Sequence, residues 1–128
     1  MKPTILTFNL NEARLSKLRF LCMKLGVAVK PVPAEDWNQP VSVLCGLSAP
    51  VEAAPAEAFP EEMLVFCHMD NGQVNRFLTT CRQMRYAPVA LKAILTPTNA
   101  EWTPVQLHAE LRQERQAVLK GETADHES

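Results

Sequence analysis

The sequence predicts an α/β protein, more narrowly an α+β sandwich, in which two strand–helix–strand units form a four-stranded sheet and a C-terminal helix follows. Three observations predict it. Short β-branched or apolar runs, typical of strands, occur at residues 4–8 and 63–67. Each run is followed by a helix-capping residue and a helical stripe of apolar side chains. The second stripe repeats the first with a shift of 59 positions, from Leu15 to Val74.

The first unit has recognisable helix ends. Asn11 is suited to cap a helix, and Gly26 is suited to the left-handed residue that ends one. The apolar stripe between them consists of Leu15, Leu18, Cys22 and Leu25. Residues 27–32 are predicted as a strand. Pro31 has no N–H to donate to a neighbouring strand, so this strand is expected at a sheet edge.

The second unit begins with the buried strand predicted at residues 63–67. Asp70 and Gln73 match a capping box, in which each side chain bonds the other residue's backbone N–H. The stripe that follows consists of Val74, Phe77, Cys81 and Met84. Residues 89–95 are predicted as the last strand.

The C-terminal helix is predicted to run from Thr103 to about Leu119. Thr103 and Gln106 form a second capping box, and Pro104 stands at the first helical position, where its missing N–H costs nothing. The apolar stripe of this helix consists of Leu107, Leu111 and Val118.

The domain organisation is predicted as one domain, residues 1–121, made of pseudo-repeats 1–47 and 62–119. An Ala/Pro/Glu-rich linker, residues 48–61, joins them, and a polar tail, residues 122–128, is expected to be disordered. In the first repeat, Asn38 as cap and Pro40 in the first turn predict a short helix. A strand at residues 41–44 is the alternative.

An internal repeat is indicated beyond the two helices. Asp70 maps onto Asn11, and three further pairs follow in order with slightly different shifts: Phe66 onto Phe8, Lys92 onto Lys30, and Trp102 onto Trp37. Two such units favour a split, ferredoxin-like sheet with the first strand of each unit central and the second at an edge. A small doubly wound parallel sheet is the alternative.

Composition excludes several classes. The sequence contains thirteen Lys and Arg and fourteen Asp and Glu, and the basic residues are spread along it. Nucleic-acid binding is therefore disfavoured. No apolar segment is long enough to cross a membrane, and residues 1–10 lack the pattern of an export signal. The four cysteines have no CxxC spacing, so we expect a cytoplasmic protein with reduced thiols and no metal or other cofactor.

A long, chemically mixed string runs from Leu91 to Asn99 as Leu-Lys-Ala-Ile-Leu-Thr-Pro-Thr-Asn and continues at Trp102-Thr103. It resembles a bacterial domain of unknown function, family 3783, with the likeness covering residues 62–114. The first half looks like the usual N-terminal companion of that domain. The resemblance implies a stand-alone bacterial protein and carries over no active site.

The segment recognised by this family is also the leading candidate for a ligand site. It lies between a strand and a helix N-terminus, where backbone N–H groups favour an anion. The candidate ligand-binding residues are Lys92, Thr96, Thr98, Asn99, Trp102 and Thr103. The structural alternative is that they serve as turn, cap and packing residues, as Trp37 would in the first half.

No catalytic set is indicated. Cys67 and His68 are neighbours, and adjacent residues in a strand point to opposite faces, so we do not expect them to act as a pair. Cys22 and Cys81 occupy core-facing helix positions. An enzyme is therefore the third choice.

The leading functional hypothesis is a non-catalytic protein-binding or regulatory module, with an unknown protein partner or self-association, as in a homodimer. The alternative is a small anionic-ligand-binding domain that uses the loop at residues 96–103 with Lys92. The position of Trp102 separates the two. Packing of Trp102 under the helix supports the module, and a place in an open cleft with Lys92 supports the ligand site.

Overall fold

The computed structural model describes residues 1–119, so the predicted disordered tail, residues 122–128, lies outside the described residues. The elements are β1 (Thr4–Phe8), α1 (Glu12–Leu25), β2 (Ala28–Pro31), α2 (Val41–Leu44), β3 (Met63–Cys67), α3 (Asn71–Gln83), β4 (Leu91–Ile94) and α4 (Pro104–Leu119). Single 3₁₀ turns at Ala34–Asp36 and Asn99–Glu101 precede α2 and α4.

The four strands form one sheet in the order β2-β1-β3-β4. The central strands β1 and β3 are antiparallel, and each edge strand is parallel to the first strand of its own unit. The predicted mixed α/β fold is confirmed, as are the central position of both first strands and the edge position of the strand that contains Pro31.

The sheet differs from the predicted ferredoxin-like arrangement both in which strands are neighbours and in their relative directions. A split unit would place β2 beside β3 and β4 beside β1, whereas here each unit closes on itself as an ordinary βαβ crossover. The antiparallel central pair also excludes the doubly wound parallel alternative. Both orders bury the same strand faces, so hydrophobic periodicity does not distinguish them. The choice depends on which backbone edge each strand meets in space.

Helices α1 and α3 cover one face of the sheet, which we call the α1/α3 face. Its core contains Ile5, Leu64 and Phe66 from the strands, packed on Leu18 of α1 and Phe77 of α3. Both helices start as predicted, because the side chains of their N-cap residues accept hydrogen bonds from the backbone N–H three residues on, and α3 has the complete capping box.

The other face, which we call the linker face, is covered by residues 33–62 and by α4. Its core is built from strand residues such as Leu6 and Val65, together with Trp37, Phe59 and Leu107. The segment predicted as a semi-extended linker thus contributes a buried aromatic side chain. It is also held by Gln39, whose side chain bonds both the N–H and the C=O of Val51.

The segment before β3 contains one confirmed and one wrong prediction. Val41–Leu44 is helical, as the first of the two alternatives proposed. Asn38, however, does not cap it. Its side chain donates to the carbonyl of Ala53 in the linker, and Pro40 occupies the cap position without a side-chain hydrogen bond. A residue that is suitable as a cap is used here for a contact distant in sequence.

The start of α4 follows the prediction more closely. The capping box of α4 is present, with the N–H of Thr103 donating to Gln106 and the N–H of Gln106 donating to Thr103. Leu107 is buried as predicted, but Val118, which was predicted on the same apolar stripe, is exposed.

The two units have matching backbone features at a constant shift of 59. Asn9 and His68 both follow a first strand with positive φ, 66° and 58°, and Gly26 and Arg85 both follow a helix with φ of 70° and 56°. The internal repeat itself stays a prediction.

Two of the proposed residue pairs are out of register. Phe8 lies in the linker-face core and Phe66 in the α1/α3-face core. Lys30 pairs with Leu6 and Lys92 with Leu64, which places the two lysines on opposite faces of the sheet. Because side chains alternate along a strand, a shift of one residue exchanges the faces.

Candidate functional site

The loop between β4 and α4 is locked by Asn99. This side chain is 8 % exposed. Its Oδ1 accepts from the N–H of Thr96 at 2.8 Å, and its Nδ2 donates to the carbonyl of Ile94 at 2.9 Å. Thr96 Oγ1 in turn accepts from the N–H of Asn99 at 3.1 Å. Thr98 is exposed. The polar atoms of Asn99 are therefore engaged in holding the turn.

Trp102 and Thr103 are also used by the fold. The half-buried Trp102 packs against the linker-face core, and its carbonyl accepts from the N–H of Val41 at 2.8 Å, which ties α2 to the start of α4. Thr103 is engaged with Gln106 in the capping box. Within residues 1–119, no buried side-chain nitrogen or oxygen is without a hydrogen-bond partner.

Lys92 is separated from this loop by the sheet. Its register with Leu64 places its side chain on the α1/α3 face, whereas Trp102 packs on the linker face. The structure therefore keeps Thr96, Asn99, Trp102 and Thr103 in one connected turn and places Lys92 elsewhere.

The structure brings together two cysteines that the sequence analysis left apart. Cys45, after α2, and Cys67, at the end of β3, are paired as a disulfide with their Cα atoms 6.4 Å apart. Cys22 and Cys81 are free. The expectation of four reduced thiols is therefore wrong for this pair. The two cysteines are 22 residues apart, so no local sequence pattern indicates that they meet.

His68 lies beside this pair. The alternation of side chains assumes an extended strand, but β3 ends at Cys67 and His68 has a φ of 58°. Its Nε2 donates to the carbonyl of Cys45 at 3.2 Å. The left-handed residue thus returns the imidazole to the neighbourhood of the cysteines. The sulfur atoms are bonded to each other, so the group lacks the free thiolate that nucleophilic chemistry requires.

The pairing gives a direct expectation for thiol labelling. In air-oxidised protein that is denatured without reductant, iodoacetamide should label Cys22 and Cys81, whereas Cys45 and Cys67 should react only after reduction. Peptide mass spectrometry measures this. In a Cys45→Ser variant, Cys67 should become labelled without reductant. Labelling of all four cysteines in the unreduced wild type would show that the pair does not form.

A stacked aromatic group links α4 to the linker. The ring of Phe59 lies 4.2 Å from that of Trp37 and 3.9 Å from that of His108, measured between centroids. His108 Nε2 donates to Glu61 at 2.9 Å. Burial raises the pKa of Glu61, but the hydrogen bond from His108 and the nearby Arg112 outweigh it and hold the pKa below its ordinary value. These contacts anchor α4 on the linker face.

The basic residues are concentrated in the two helices of the α1/α3 face. Residues 11–26 and 70–86 contain two carboxylates, Glu12 and Asp70, against seven basic residues: Arg14, Lys17, Arg19, Lys24, Arg76, Arg82 and Arg85. Arg14 is neutralised, because it pairs with Glu62 at 2.7 Å. The other six are exposed, and none forms an ion pair with a carboxylate of residues 1–119.

The acidic residues are concentrated on the other side. Residues 33–62 contain six carboxylates and no Lys or Arg: Glu35, Asp36, Glu52, Glu57, Glu61 and Glu62. The net charge of −1 therefore conceals a protein with one basic and one acidic surface. Counting charges separately for each element would have revealed this from the sequence, although not that α1 and α3 share a face.

Apolar side chains are exposed within the basic surface. Phe20 is 50 % and Met23 is 71 % exposed on α1. Lys17, Phe20 and Lys24 follow helical spacing on the outer side of α1, and the Lys24 ammonium lies 4.8 Å from the centre of the Phe20 ring. We call the outer surface of α1 and α3 the basic layer.

Other kinds of site find no support in the part of the chain that the structure describes. No group of three or more His, Cys, Asp or Glu side chains there is arranged to hold a metal ion. No helix between residues 1 and 119 is both long and apolar enough to span a bilayer.

Comparison with known proteins identifies the second half of the chain. No curated protein and no solved structure matches the chain significantly. Residues 62–118 match the model of a family described as Domain of unknown function (DUF3783). The matched segment begins at β3 and includes α3, β4 and nearly all of α4. The second strand–helix–strand unit, with the helix that follows it, is therefore similar to this domain of unknown function.

Proposed function

We propose that this protein is a non-catalytic protein-binding module whose basic layer binds an acidic segment of a partner protein. The observation that carries the proposal is the segregation of charge, with six exposed cations on α1 and α3 around two exposed apolar side chains. Cations that have no carboxylate partner within the described chain are available to a carboxylate from outside.

The basic layer combines the two features of a specific protein contact. Complementary charge speeds association and selects the partner, whereas apolar side chains at the centre of the contact supply most of the affinity. Phe20 and Met23 provide apolar area on α1, and methionine adapts its shape to different partners. Lys17 and Lys24 lie on either side of Phe20 along the helix.

The position of Trp102 also favours the module over the loop-based ligand site. The indole packs against the linker-face core, and the loop around Asn99 uses its polar groups internally. Lys92, which would supply the charge for an anion in that loop, faces the other side of the sheet. A bacterial, cytoplasmic setting is part of the proposal.

Self-association is the competing form of the same proposal. The acidic residues 33–62 of one copy would complement the basic layer of another. Such a contact joins two different surfaces, so it adds copies head to tail instead of closing a symmetric dimer. A separate acidic partner would pair with the cations of the basic layer without forming head-to-tail chains, so we propose that form first.

A labelled Glu-rich peptide with interspersed leucines is a suitable probe, followed by fluorescence anisotropy at physiological salt. The Lys17→Glu/Arg76→Glu variant should bind at least about tenfold more weakly than the wild type, equivalent to about 1.4 kcal/mol. A matched control, Lys2→Glu/Arg115→Glu, carries the same change in net charge away from the basic layer and should bind like the wild type.

Three results would contradict the proposal. The first is equal weakening in both double variants, which would indicate a response to net charge alone. The second is tighter binding of a single-stranded DNA of the same charge, which would indicate a nucleic-acid surface. The third is head-to-tail association of the wild type, measured by light scattering, that is absent in the Lys17→Glu/Arg76→Glu variant. This result would assign the basic layer to contact with a second copy.

A further inference from the structure

A cavity of about 360 Å³ lies between α3 and the edge strand β4, on the α1/α3 face. Its walls are mainly apolar and include Leu64, Phe77, Leu78 and Val89. This volume is within the range of small-molecule sites, which are typically apolar with a few polar groups that orient the ligand. The cavity is separate from the loop at residues 96–103.

The charged groups that line this cavity are both cations, Lys92 and Arg82. Lys92 is partly buried, and its ammonium group donates to the carbonyl of Val89. An ammonium group has three N–H donors, so two of them are left for another acceptor. No carboxylate of residues 1–119 forms an ion pair with Lys92.

The environment of Lys92 disfavours its charge in the absence of an anion. Burial lowers the pKa of Lys92, and the positive charge of Arg115 lowers it further, against a small opposite effect of Cys81. Burial also raises the pKa of Cys81 to about 11, so this thiol is neutral at pH 7 and acts as part of the apolar wall. A bound anion would offset the desolvation of the ammonium group.

From this geometry we infer that the cavity binds a small amphipathic monocarboxylate, with its carboxylate on Lys92 and Arg82 and its apolar body against Leu64, Phe77 and Leu78. Medium-chain fatty acids and arylalkyl carboxylates belong to this class. A single carboxylate suits an apolar cavity whose charged lining consists of two cationic side chains. A phosphate dianion would lose more hydration on entering walls of this kind.

This inference goes beyond the proposed function and does not depend on it. The experiment on the basic layer changes Lys17 and Arg76, neither of which lines the cavity. Loss of acidic-peptide binding would leave the inference intact, and absence of carboxylate binding would leave the proposed function intact.

Decanoate is the probe, with decanol as its uncharged analogue and octyl phosphate as the alternative anion, all measured by calorimetric titration. The Lys92→Met variant keeps the apolar stem and removes the charge. It should bind decanoate at least about tenfold more weakly than the wild type, equivalent to about 1.4 kcal/mol, and decanol equally well. In the wild type, octyl phosphate should bind more weakly than decanoate.

The chain supplies a matched control in Lys30, whose ammonium group likewise donates to a backbone carbonyl, that of Leu44, from the opposite edge strand. Lys30→Met should leave decanoate binding unchanged. Decanoate should also shift the amide NMR signals of Leu64, Cys81 and Lys92. Leu78→Trp, which fills the cavity, should abolish binding and keeps the test available if Lys92→Met does not fold.

Absence of wild-type binding at millimolar decanoate would overturn the inference. Equal loss of decanol and decanoate binding in Lys92→Met would overturn the role of the charge. Tighter binding of octyl phosphate would overturn the carboxylate assignment, and signal shifts confined to residues outside the cavity would place the ligand elsewhere.

Discussion

Replacing Phe59 by alanine is expected to lower the free energy of unfolding by about 3–5 kcal/mol, the range for large-to-small changes of buried aromatic residues. Phe59 is 7 % exposed, although it comes from a segment rich in proline, alanine and glutamate. Its ring lies between those of Trp37 and His108, so alanine leaves a cavity and removes two stacking contacts. The free energy of unfolding of native proteins is about 5–15 kcal/mol, so this loss is a large fraction of the total stability.

Urea denaturation followed by circular dichroism measures the effect of this substitution. Phe20→Ala is the matched control, because it makes the same chemical change at a ring that is half exposed on α1. The control should shift the free energy of unfolding by no more than about 0.5 kcal/mol. Equal values for the two variants would show that residues 48–61 are not part of the core in solution.

Replacing Asn99 by alanine is expected to destabilise the protein by about 2 kcal/mol, since it leaves the carbonyl of Ile94 and the N–H of Thr96 without their partner. Thr98→Ala changes a neighbouring exposed side chain and should stay within about 0.5 kcal/mol of the wild type. Thermal and urea unfolding measure both variants.

A third variant, Asn99→Asp, keeps the acceptor for the N–H of Thr96 and loses the donor to the carbonyl of Ile94. Its stability should therefore lie between those of the wild type and Asn99→Ala. The variants also test whether the loop is a ligand site. Equal stability of Thr98→Ala and Asn99→Ala would contradict the turn assignment. If an anionic metabolite raised the melting temperature of the wild type but not of Thr98→Ala, the loop would be a ligand site.

Features that depend on contacts within a few residues were predictable from the sequence. The capping boxes at Asp70 and Thr103 join positions three residues apart, and the left-handed Gly26 ends its helix without help from distant residues. Alternating or continuous apolar runs predicted where the strands lie. The resemblance to family 3783 also depends on a continuous string of residues, from Leu91 to Thr103.

Features that depend on partners distant in the chain were not predictable. Phe59 is an isolated aromatic residue in a polar, proline-rich segment, and its burial depends on Trp37 and His108. The pairing of Cys45 with Cys67 depends on where α2 ends relative to β3. The alternation of side chains along a strand does not apply to His68, because its left-handed backbone turns its side chain toward the cysteines.

The sequence alone therefore determined the two strand–helix–strand units, their caps and the central position of their first strands, because local hydrogen bonds and hydrophobic periodicity specify these. The tertiary structure decided three further points: the strand order, the face on which Lys92 lies, and the joining of the basic residues of α1 and α3 into one layer. The strand order depends on the pairing of β1 with β3, the face of Lys92 depends on its register with Leu64, and the basic layer depends on packing that brings α1 beside α3. A shift of one residue, or an exchange of neighbouring strands, would preserve the periodicity of the sequence but would change which side chains meet.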